Sequence, residues 1–270
     1  MGAHLIKVSF VIVEFNSIED IGLCIDSISQ LLINFPFEII ISSNSQYSTY
    51  QQKEILEKFP QCIWCFNERN GGFAYAMNRG LRKATGDYLV IMNPDCKIKF
   101  GIEKMMEFLK KYPQVGGVAP QIVDNEDNLQ DTCRGYVSFP SFVYRQLSRI
   151  ITHKESILNP SFDYQKVQTV DWVIGAFIMV SRQAYERTNG LSEDYFMYAE
   201  DLDWCTRIRK AGFEVVYYPK AVVEYKGTRS ARKSKKYAKI FLKSHLTYWK
   251  KFGFFFGYPK RKEMFFENFS

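Results

Sequence analysis

No window of the 270-residue chain holds 18 consecutive apolar residues, so nothing in it reads as a membrane span. The opening Met-Gly-Ala-His-Leu-Ile has no signal-peptide pattern and runs straight into a strand pattern. The six cysteines are scattered at 24, 62, 65, 96, 133 and 205 and do not form a disulfide framework. Together these absences set the expectation of a cytoplasmic protein. Cys62-Ile-Trp-Cys65 has CxxC spacing, but no second CxxC completes a zinc site. It also lies in an expected strand, where residues three apart face opposite sides. There is no GxGxxG at the first strand-to-helix turn, Phe15-Asn16-Ser17-Ile18, and no GxxxxGK[ST] anywhere. Dinucleotide and P-loop chemistry are excluded on that ground. Internal repeats and low-complexity linkers are absent too. Between Lys226 and Lys262 there are thirteen Lys/Arg and no Asp/Glu, so the net charge of +7 belongs to the tail.

What is present alternates strand and helix. Lys7 to Phe15 reads as a buried strand, and residues 21 to 32 have helical spacing. Phe37 to Ile41 is a second strand, residues 51 to 59 a helix, and Cys62 to Phe66 a third strand. Asn70-Gly71-Gly72 turns into a helix over Phe73 to Ala84. Gly86 breaks that helix, and Tyr88 to Met92 is a fourth strand. Alternation of this kind predicts a parallel sheet with right-handed crossovers. Further on, a helix is expected over 101 to 112, a strand over 115 to 122 and an acidic turn over 124 to 131. Residues 133 to 168 are irregular. Val170 to Val180 reads as a strand pair bent at Gly175. A helix from Glu200 to Ala211 is closed by Gly212, and a strand from Phe213 is stopped by Pro219.

The strands end in polar loops: Glu14 to Ser17, Ser42 to Ser45, Asn67 to Gly72 and Asn93 to Asp95. In an open α/β sheet the carboxyl ends of the strands form the ligand crevice, so these loops should converge. Asn93-Pro94-Asp95 carries most of the interest. Pro94 cannot extend a ladder, and a carboxylate just past a core strand can hold a divalent cation and, through it, phosphates. An ordinary Asn-Pro-Asp turn is the plain alternative.

Several stretches resemble the family 2 glycosyltransferases of the GT-A fold. They are Val13-Glu-Phe-Asn-Ser17, Asn67 through Gly80 (NERNGGFAYAMNRG), Ala84-Thr-Gly-Asp-Tyr88, Asn93-Pro94-Asp95 and Val170-Asp-Trp-Val-Ile-Gly-Ala176. The most specific is Phe196-Met-Tyr-Ala-Glu-Asp-Leu-Asp-Trp204 with Arg207. The wording is closest to rhamnosyltransferase-like members that build surface polysaccharides.

The resemblance implies a mostly parallel Rossmann-like sheet flanked by helices over 1–230. Residues 7–100 would form the nucleotide half and 101–230 the acceptor half, with a basic, aromatic helical extension over 231–270. It implies inverting transfer of a sugar, rhamnose among the candidates, from a dTDP- or UDP-sugar to a glycan or lipid-diphosphate-linked acceptor. Phe15, Asn16, Ser43, Asn44, Asn70, Gly71, Asn78 and Asn93 fall at donor-binding places. Asn93 and Asp95 match the first and third places of the Asp-x-Asp motif, so Asp95 would bind Mg²⁺ or Mn²⁺. Asp201 takes the place of the general base, with Trp172, Gly175, Glu200, Asp203 and Arg207 supporting it on the acceptor side. Glu200, Asp201 and Asp203 can also be read as acids at a helix N-terminus, with Asp203 paired to Arg207.

Three positions depart from the family pattern. Ser43-Asn44 stands where Asp-Asn is usual, Glu14 where a small residue is usual, and Glu224 near a usual His. Glu14 is expected either to accept the imide N–H of the donor base or to be a solvated strand-end acid. Glu224 is expected either to ligate the metal or to be a plain strand residue. Arg229, Arg232 and Lys233 are candidates for contact with a diphosphate. The basic, aromatic tail suits either an anionic membrane surface or packing on the domain; no nucleic-acid motif accompanies it. A sugar nucleotidyltransferase and a catalytically inactive sugar-nucleotide- or glycan-binding protein are the competing readings.

Overall fold

The computed structural model describes residues 6–31, 35–136, 138–140, 142–143, 162–227, 235–255, 258–264 and 266. Arg229, Arg232 and Lys233 lie outside the described residues, as does the whole stretch from 144 to 161.

The nucleotide half is built as the alternation predicts. β1 (Val8–Glu14), β2 (Phe37–Ser43), β3 (Cys62–Phe66) and β4 (Tyr88–Met92) are parallel, in the order β3-β2-β1-β4. All seven residues of β1 are buried, because it has a strand on each side and helices over both faces. Its apolar run therefore does not alternate. α1 (Ile18–Ser29), α2 (Thr49–Lys58) and α3 (Phe73–Leu81) connect these strands. α2 starts two residues before the expected position, because Ser48 and Gln51 form a reciprocal capping box. Cys62 packs with the core on one face of the sheet and Cys65 against the core on the other. All six cysteines are free thiols, so the CxxC spacing joins nothing.

Beyond β4 the sheet gains strands of both directions. β5 (Cys96–Phe100) and α4 (Ile102–Lys111) lead to β6 (Val115–Val123), and the short β7 (Cys133–Arg134) pairs with β9 (Trp172–Val173). β8 (Gln168–Val170), β10 (Phe177–Ser181), α5 (Arg182–Thr188), α6 (Glu200–Lys210) and β11 (Glu214–Tyr225) complete the half. The order is β3-β2-β1-β4-β10-β6-β11-β5, with β8 also on β11. β6 and β11 run with the first four strands, while β5, β8 and β10 run against them.

Two expectations are corrected. Pro219 does not stop a strand: β11 continues to Tyr225, and its pairing with β6 slips between Tyr218 and Val222. The bulge carries the proline, whose missing N–H then costs no ladder bond. β5 went unnoticed because Cys-Lys-Ile-Lys-Phe alternates at a sheet edge, with only Cys96 and Ile98 buried.

The last helix, α7 (Lys235–Phe252), packs on the acceptor half. It buries Ser244, His245, Tyr248, Trp249 and Phe252. The Tyr248 and Thr206 hydroxyls are hydrogen-bonded at 2.8 Å, and Ser244 Oγ donates to the Met197 carbonyl at 2.7 Å. Among the described residues no helix is long and apolar enough to cross a membrane.

Candidate active site

Three of the four polar loops are laced together by their own side chains. Asn44 Nδ2 donates to Asn70 Oδ1 at 3.2 Å and to the Gly72 carbonyl at 3.0 Å. Asn67 Nδ2 reaches Asn44 Oδ1 at 3.1 Å and Ser42 Oγ at 3.0 Å. The Asn16 N–H donates to Ser45 Oγ at 2.7 Å, with Asn16 in the left-handed region at φ 51°. That turn leaves the Phe15 ring 48% exposed beside the crevice, where an aromatic face can stack on a base.

Glu14 sits at the centre of this lacing and is fully buried. One oxygen accepts from Ser43 Oγ at 2.5 Å. The other accepts from the Ser17 N–H at 2.9 Å, Tyr47 OH at 3.0 Å and Ser45 Oγ at 3.1 Å. The solvated strand-end acid is corrected: the carboxylate is fully buried and already accepts four hydrogen bonds. It fixes the β1 and β2 loops to each other, which explains why a serine can stand at 43. Asn78 is also corrected. Its amide donates to the Leu191 carbonyl at 2.8 Å and Glu193 Oε1 at 2.9 Å, and its oxygen accepts the Leu191 N–H at 2.9 Å. It ties α3 to the loop before α6 and has no donor left for a nucleotide.

At the end of β4 the Asn93 N–H donates to the Ala176 carbonyl at 2.9 Å, and Asn93 Nδ2 to Tyr225 OH at 3.2 Å. Burial raises the Asp95 carboxyl above the usual carboxylate range; Asp20 adds to this, while the Gly227 backbone and Lys226 oppose it. A buried carboxylate just past a core strand is a hard-oxygen group. Among the described residues no group of three His, Cys, Asp or Glu is gathered to hold a metal. A cation held by one carboxylate, with substrate phosphates as its other ligands, fits this sparse set. Glu224 does not join it. It is opposite Lys97 in the β11–β5 pairing and forms an ion pair with Lys97 Nζ at 3.4 Å. Its neighbour Tyr225, which sequence reasoning missed, reaches Asn93 instead.

The third part is built on α6. Tyr198 and Ala199 are successive non-glycine residues with left-handed φ, 70° and 65°. Strain of that kind persists where surroundings over-determine it, and it clusters at functional sites. It aims the first turn of α6 at the bend between β9 and β10. There Asp201 Oδ2 accepts the Gly175 N–H at 2.9 Å, and Oδ1 accepts the Leu202 N–H at 2.8 Å. Burial raises the Asp201 carboxyl; these backbone donors and the charge of Arg134 oppose the rise. Burial and the neighbouring Asp201 push Glu200 up to about 8. Glu200 is only 7% exposed, and its Oε2 has no hydrogen-bond partner among the described residues.

Asp203 and Arg207 stand behind this face. Asp203 is fully buried, accepts from Tyr195 OH at 3.0 Å and pairs with Arg207 at 2.5 Å and Lys251 at 2.7 Å. Arg207 also caps the Thr188 and Gly190 carbonyls. Trp172 Nε1 donates to the Gly135 carbonyl at 3.0 Å, and the Arg134 guanidinium lies 5.3 Å from the Trp172 ring centre.

The loop ending at Gly72 and the segment leading into α6 meet at one point. The Phe73 N–H donates to the Phe196 carbonyl at 2.8 Å. Gly72, at φ 93°, has room only for hydrogen, since a Cβ would lie 2.2 Å from the Phe196 oxygen. Gly71 is as crowded, with the Tyr75 side chain 2.5 Å from where its Cβ would be.

A family model described as Glycosyl transferase family 2 matches residues 9–188, and one described as N-terminal domain of galactosyltransferase matches residues 156–231. The chain is 24% identical over 211 residues to the N-acetylglucosaminyl-diphospho-decaprenol L-rhamnosyltransferase of Mycobacterium tuberculosis, covering 70% of this chain and 66% of that one. It is 27% identical over 165 residues to the Escherichia coli K12 rhamnosyltransferase WbbL, covering 58% and 59%. Among solved structures, GalNAc-T7 with UDP, GalNAc and Mn²⁺ superposes with a TM-score of 0.63 at 15% identity, covering 83% of this chain and 44% of that one. The mannosyltransferase PcManGT of Pyrobaculum calidifontis, with GDP-Man and Mn²⁺, gives 0.58 at 19%, covering 92% and 65%. Each of these relatives is longer than the region it shares with the chain.

Proposed function

Because the chain belongs to glycosyl transferase family 2, we propose that it transfers a sugar, with inversion, from a nucleoside-diphosphate donor to an acceptor carried on a lipid diphosphate. The observation that carries this reading is the placement of Asp201: a carboxylate oriented by two backbone N–H groups, beside a largely buried acid, in contact with the bend at Gly175.

In the proposed step the acceptor hydroxyl oxygen attacks the anomeric carbon of the donor. The bond from that carbon to the diphosphate oxygen breaks, and the hydroxyl proton passes to Asp201 as general base. A base raised above the ordinary carboxylate range is better matched to a hydroxyl proton at neutral pH. Glu200, raised to about 8, holds its proton at neutrality, so Asp201 carries its charge without a second anion beside it. Asn93 and Asp95 would hold Mg²⁺ or Mn²⁺, which neutralises charge on a departing diphosphate. Phe15, Asn44 and Asn70 border the crevice in which the nucleoside would lie. Glu14, Asp203 and Arg207 hold these parts in register.

The two rhamnosyltransferase relatives support rhamnose as the donor sugar of this reading. A lipid-linked acceptor also gives the outer face of α7 a role. Lys239, Lys243 and Lys250 are exposed there around Leu242, opposite the buried aromatic face. We propose that this face rests on the anionic inner surface of the cell membrane.

Mixing the protein with UDP-, dTDP- and GDP-sugars and a lipid-diphosphate acceptor tests the function through release of nucleoside diphosphate. Release with one donor class, lost in Asp201→Asn, is expected. No release with any donor would overturn the reading.

A further inference from the structure

A cavity of about 150 Å³ opens beside β7, lined by Cys133, Arg134, Gly135, Gln168, Val170 and Arg261, with Phe162 at its edge. It contains no residue of the polar strand-end loops, and two arginines far apart in sequence, Arg134 and Arg261, both line it.

Arg134 is held in place rather than loose. Its guanidinium lies on the Trp172 ring, and Nη2 donates to the Asp131 carbonyl at 3.2 Å. Its Nε is buried without a hydrogen-bond partner among the described residues, 3.7 Å from an Asp131 carboxylate that already accepts from Tyr164 OH at 3.1 Å. Of the five N–H donors of an arginine, one is matched by a hydrogen bond among the described residues. Arg261 is exposed and forms no ion pair among them. Planar N–H forks of this kind match the oxygens of a phosphate.

The cavity is also coupled to the catalytic face. β7 pairs Arg134 with Trp172, and three residues further on Gly175 holds Asp201. The charge of Arg134 is felt at Asp201 and at His245 of α7. The cavity is therefore joined to the proposed base through the β7–β9 pair and lies within electrostatic reach of it.

We infer that the Arg134–Arg261 cavity is an anion subsite that takes a phosphate group of the acceptor's diphosphate. This rests on the proposed glycosyltransferase reading and sets its acceptor class: the protein selects acceptors whose sugar is joined to a diphosphate.

The first arm of the test needs no turnover. Inorganic pyrophosphate and orthophosphate are titrated calorimetrically into the full chain in the presence of EDTA, where the bare Asp95 carboxylate repels anions. Pyrophosphate binding is expected, weakened about tenfold or more by Arg134→Gln and by Arg261→Gln and unchanged by Asp95→Asn. Arg261 is exposed and outside helix and strand, so its variant keeps the test sound should Arg134→Gln fold poorly. Absence of binding, or binding indifferent to both arginines, overturns the subsite. The second arm compares one sugar on a lipid diphosphate with the same sugar on a neutral alkyl glycoside. Arg261→Gln, which bears no charge felt at Asp201, is expected to raise KM about tenfold for the first alone, with kcat unchanged. An equal rise for both would show a structural role, and no rise for either would show a site for free phosphate; each overturns the assignment to the acceptor. Failure of the glycosyltransferase reading is seen separately, as no nucleoside diphosphate release from any donor.

Discussion

Gly175 donates its backbone N–H to Oδ2 of Asp201 at 2.9 Å, and a Cβ on Gly175 would lie 3.2 Å from the Asp201 Cβ. The β9–β10 bend and the first turn of α6 are therefore fitted to each other at the carboxylate. With Oδ1 taken by the Leu202 N–H, the side chain is fixed in rotation, and each oxygen keeps a lone pair for an incoming proton.

Asp201→Asn keeps the size of the side chain, retains at most one of the two backbone hydrogen bonds because its Nδ2 donates, and removes the proposed base. Transfer is expected to fall by about 10² to 10⁴ fold, while calorimetry shows donor affinity unchanged. Burial raises the Asp201 carboxyl, and the base works only when deprotonated. The acid limb of the kcat/KM profile is therefore expected above the usual carboxylate range, with activity rising as pH rises through it. Near wild-type turnover in the variant would remove Asp201 from the role.

Glu200 gives a prediction about stability. Its folded-state value of about 8 lies above its ordinary 4.5, so the native state binds a proton that the unfolded chain has released. Its contribution is fully present below 4.5 and is lost as pH rises through about 8. The slope in that window approaches about 1.4 kcal/mol per pH unit. Glu200→Gln mimics the protonated form and should flatten this loss. Denaturation midpoints of the two proteins from pH 5 to 8 check it; parallel curves would show that Glu200 does not titrate there.

The nucleotide half was legible in the sequence because its signals are local. β1 and β4 are short apolar runs, and Gly86 and Asn70-Gly71-Gly72 punctuate the chain where the structure turns. The Asp203–Arg207 pair was legible from its i, i+4 spacing. Glu14 and Asn78 were misjudged because their partners lie far along the chain, at residues 43 to 47 and 191 to 193. A strand-end acid and a helix amide give no sign of whether their hydrogen bonds are spent internally. Tyr225 and Arg134 were missed for a related reason. One lies beyond a proline that reads as a stop, and the other lies in a two-residue strand too short to show a period. The alternation of β11 places Glu224 and Tyr225 on opposite faces, so a correct strand end would have shown that only one of them can face Asn93.

Gly72 and Phe196 join the two halves of the crevice. Gly72→Ala puts a methyl group against the Phe196 carbonyl and strains a φ of 93°. The variant is expected to lose about 1–3 kcal/mol of stability and to bind donor more weakly, because Asn44 and Asn70 are anchored to the same loop. Chemical denaturation and donor titration measure the two effects. An unchanged denaturation midpoint would show that the loops separate freely.

Asp95 is the test of metal use. Chelation is expected to abolish transfer, and Mn²⁺ or Mg²⁺ to restore it. Asp95→Asn should remain inactive at cation concentrations that saturate the wild type. Glu224→Gln should respond to cation as the wild type does, since that carboxylate pairs with Lys97. Activity indifferent to chelator would take Asp95 out of its role.

The two faces of α7 make separable predictions. Lys251 reaches inward to the fully buried Asp203 at 2.7 Å. Lys251→Met should cost about 1–3 kcal/mol of stability, less than a sole partner would, because Asp203 keeps Arg207 and Tyr195. It should leave binding to vesicles unchanged. Lys239, Lys243 and Lys250 point outward, and each lysine near an anionic surface contributes about 1 kcal/mol. Replacing all three by Gln should weaken flotation with phosphatidylserine vesicles by about 10² fold and leave the melting temperature near wild type. Deleting the helix cannot serve as the test, because it would strip Tyr248 and Trp249 from the core and unfold the acceptor half with it. Equal flotation of the triple variant and the wild type would mean that α7 serves the fold alone.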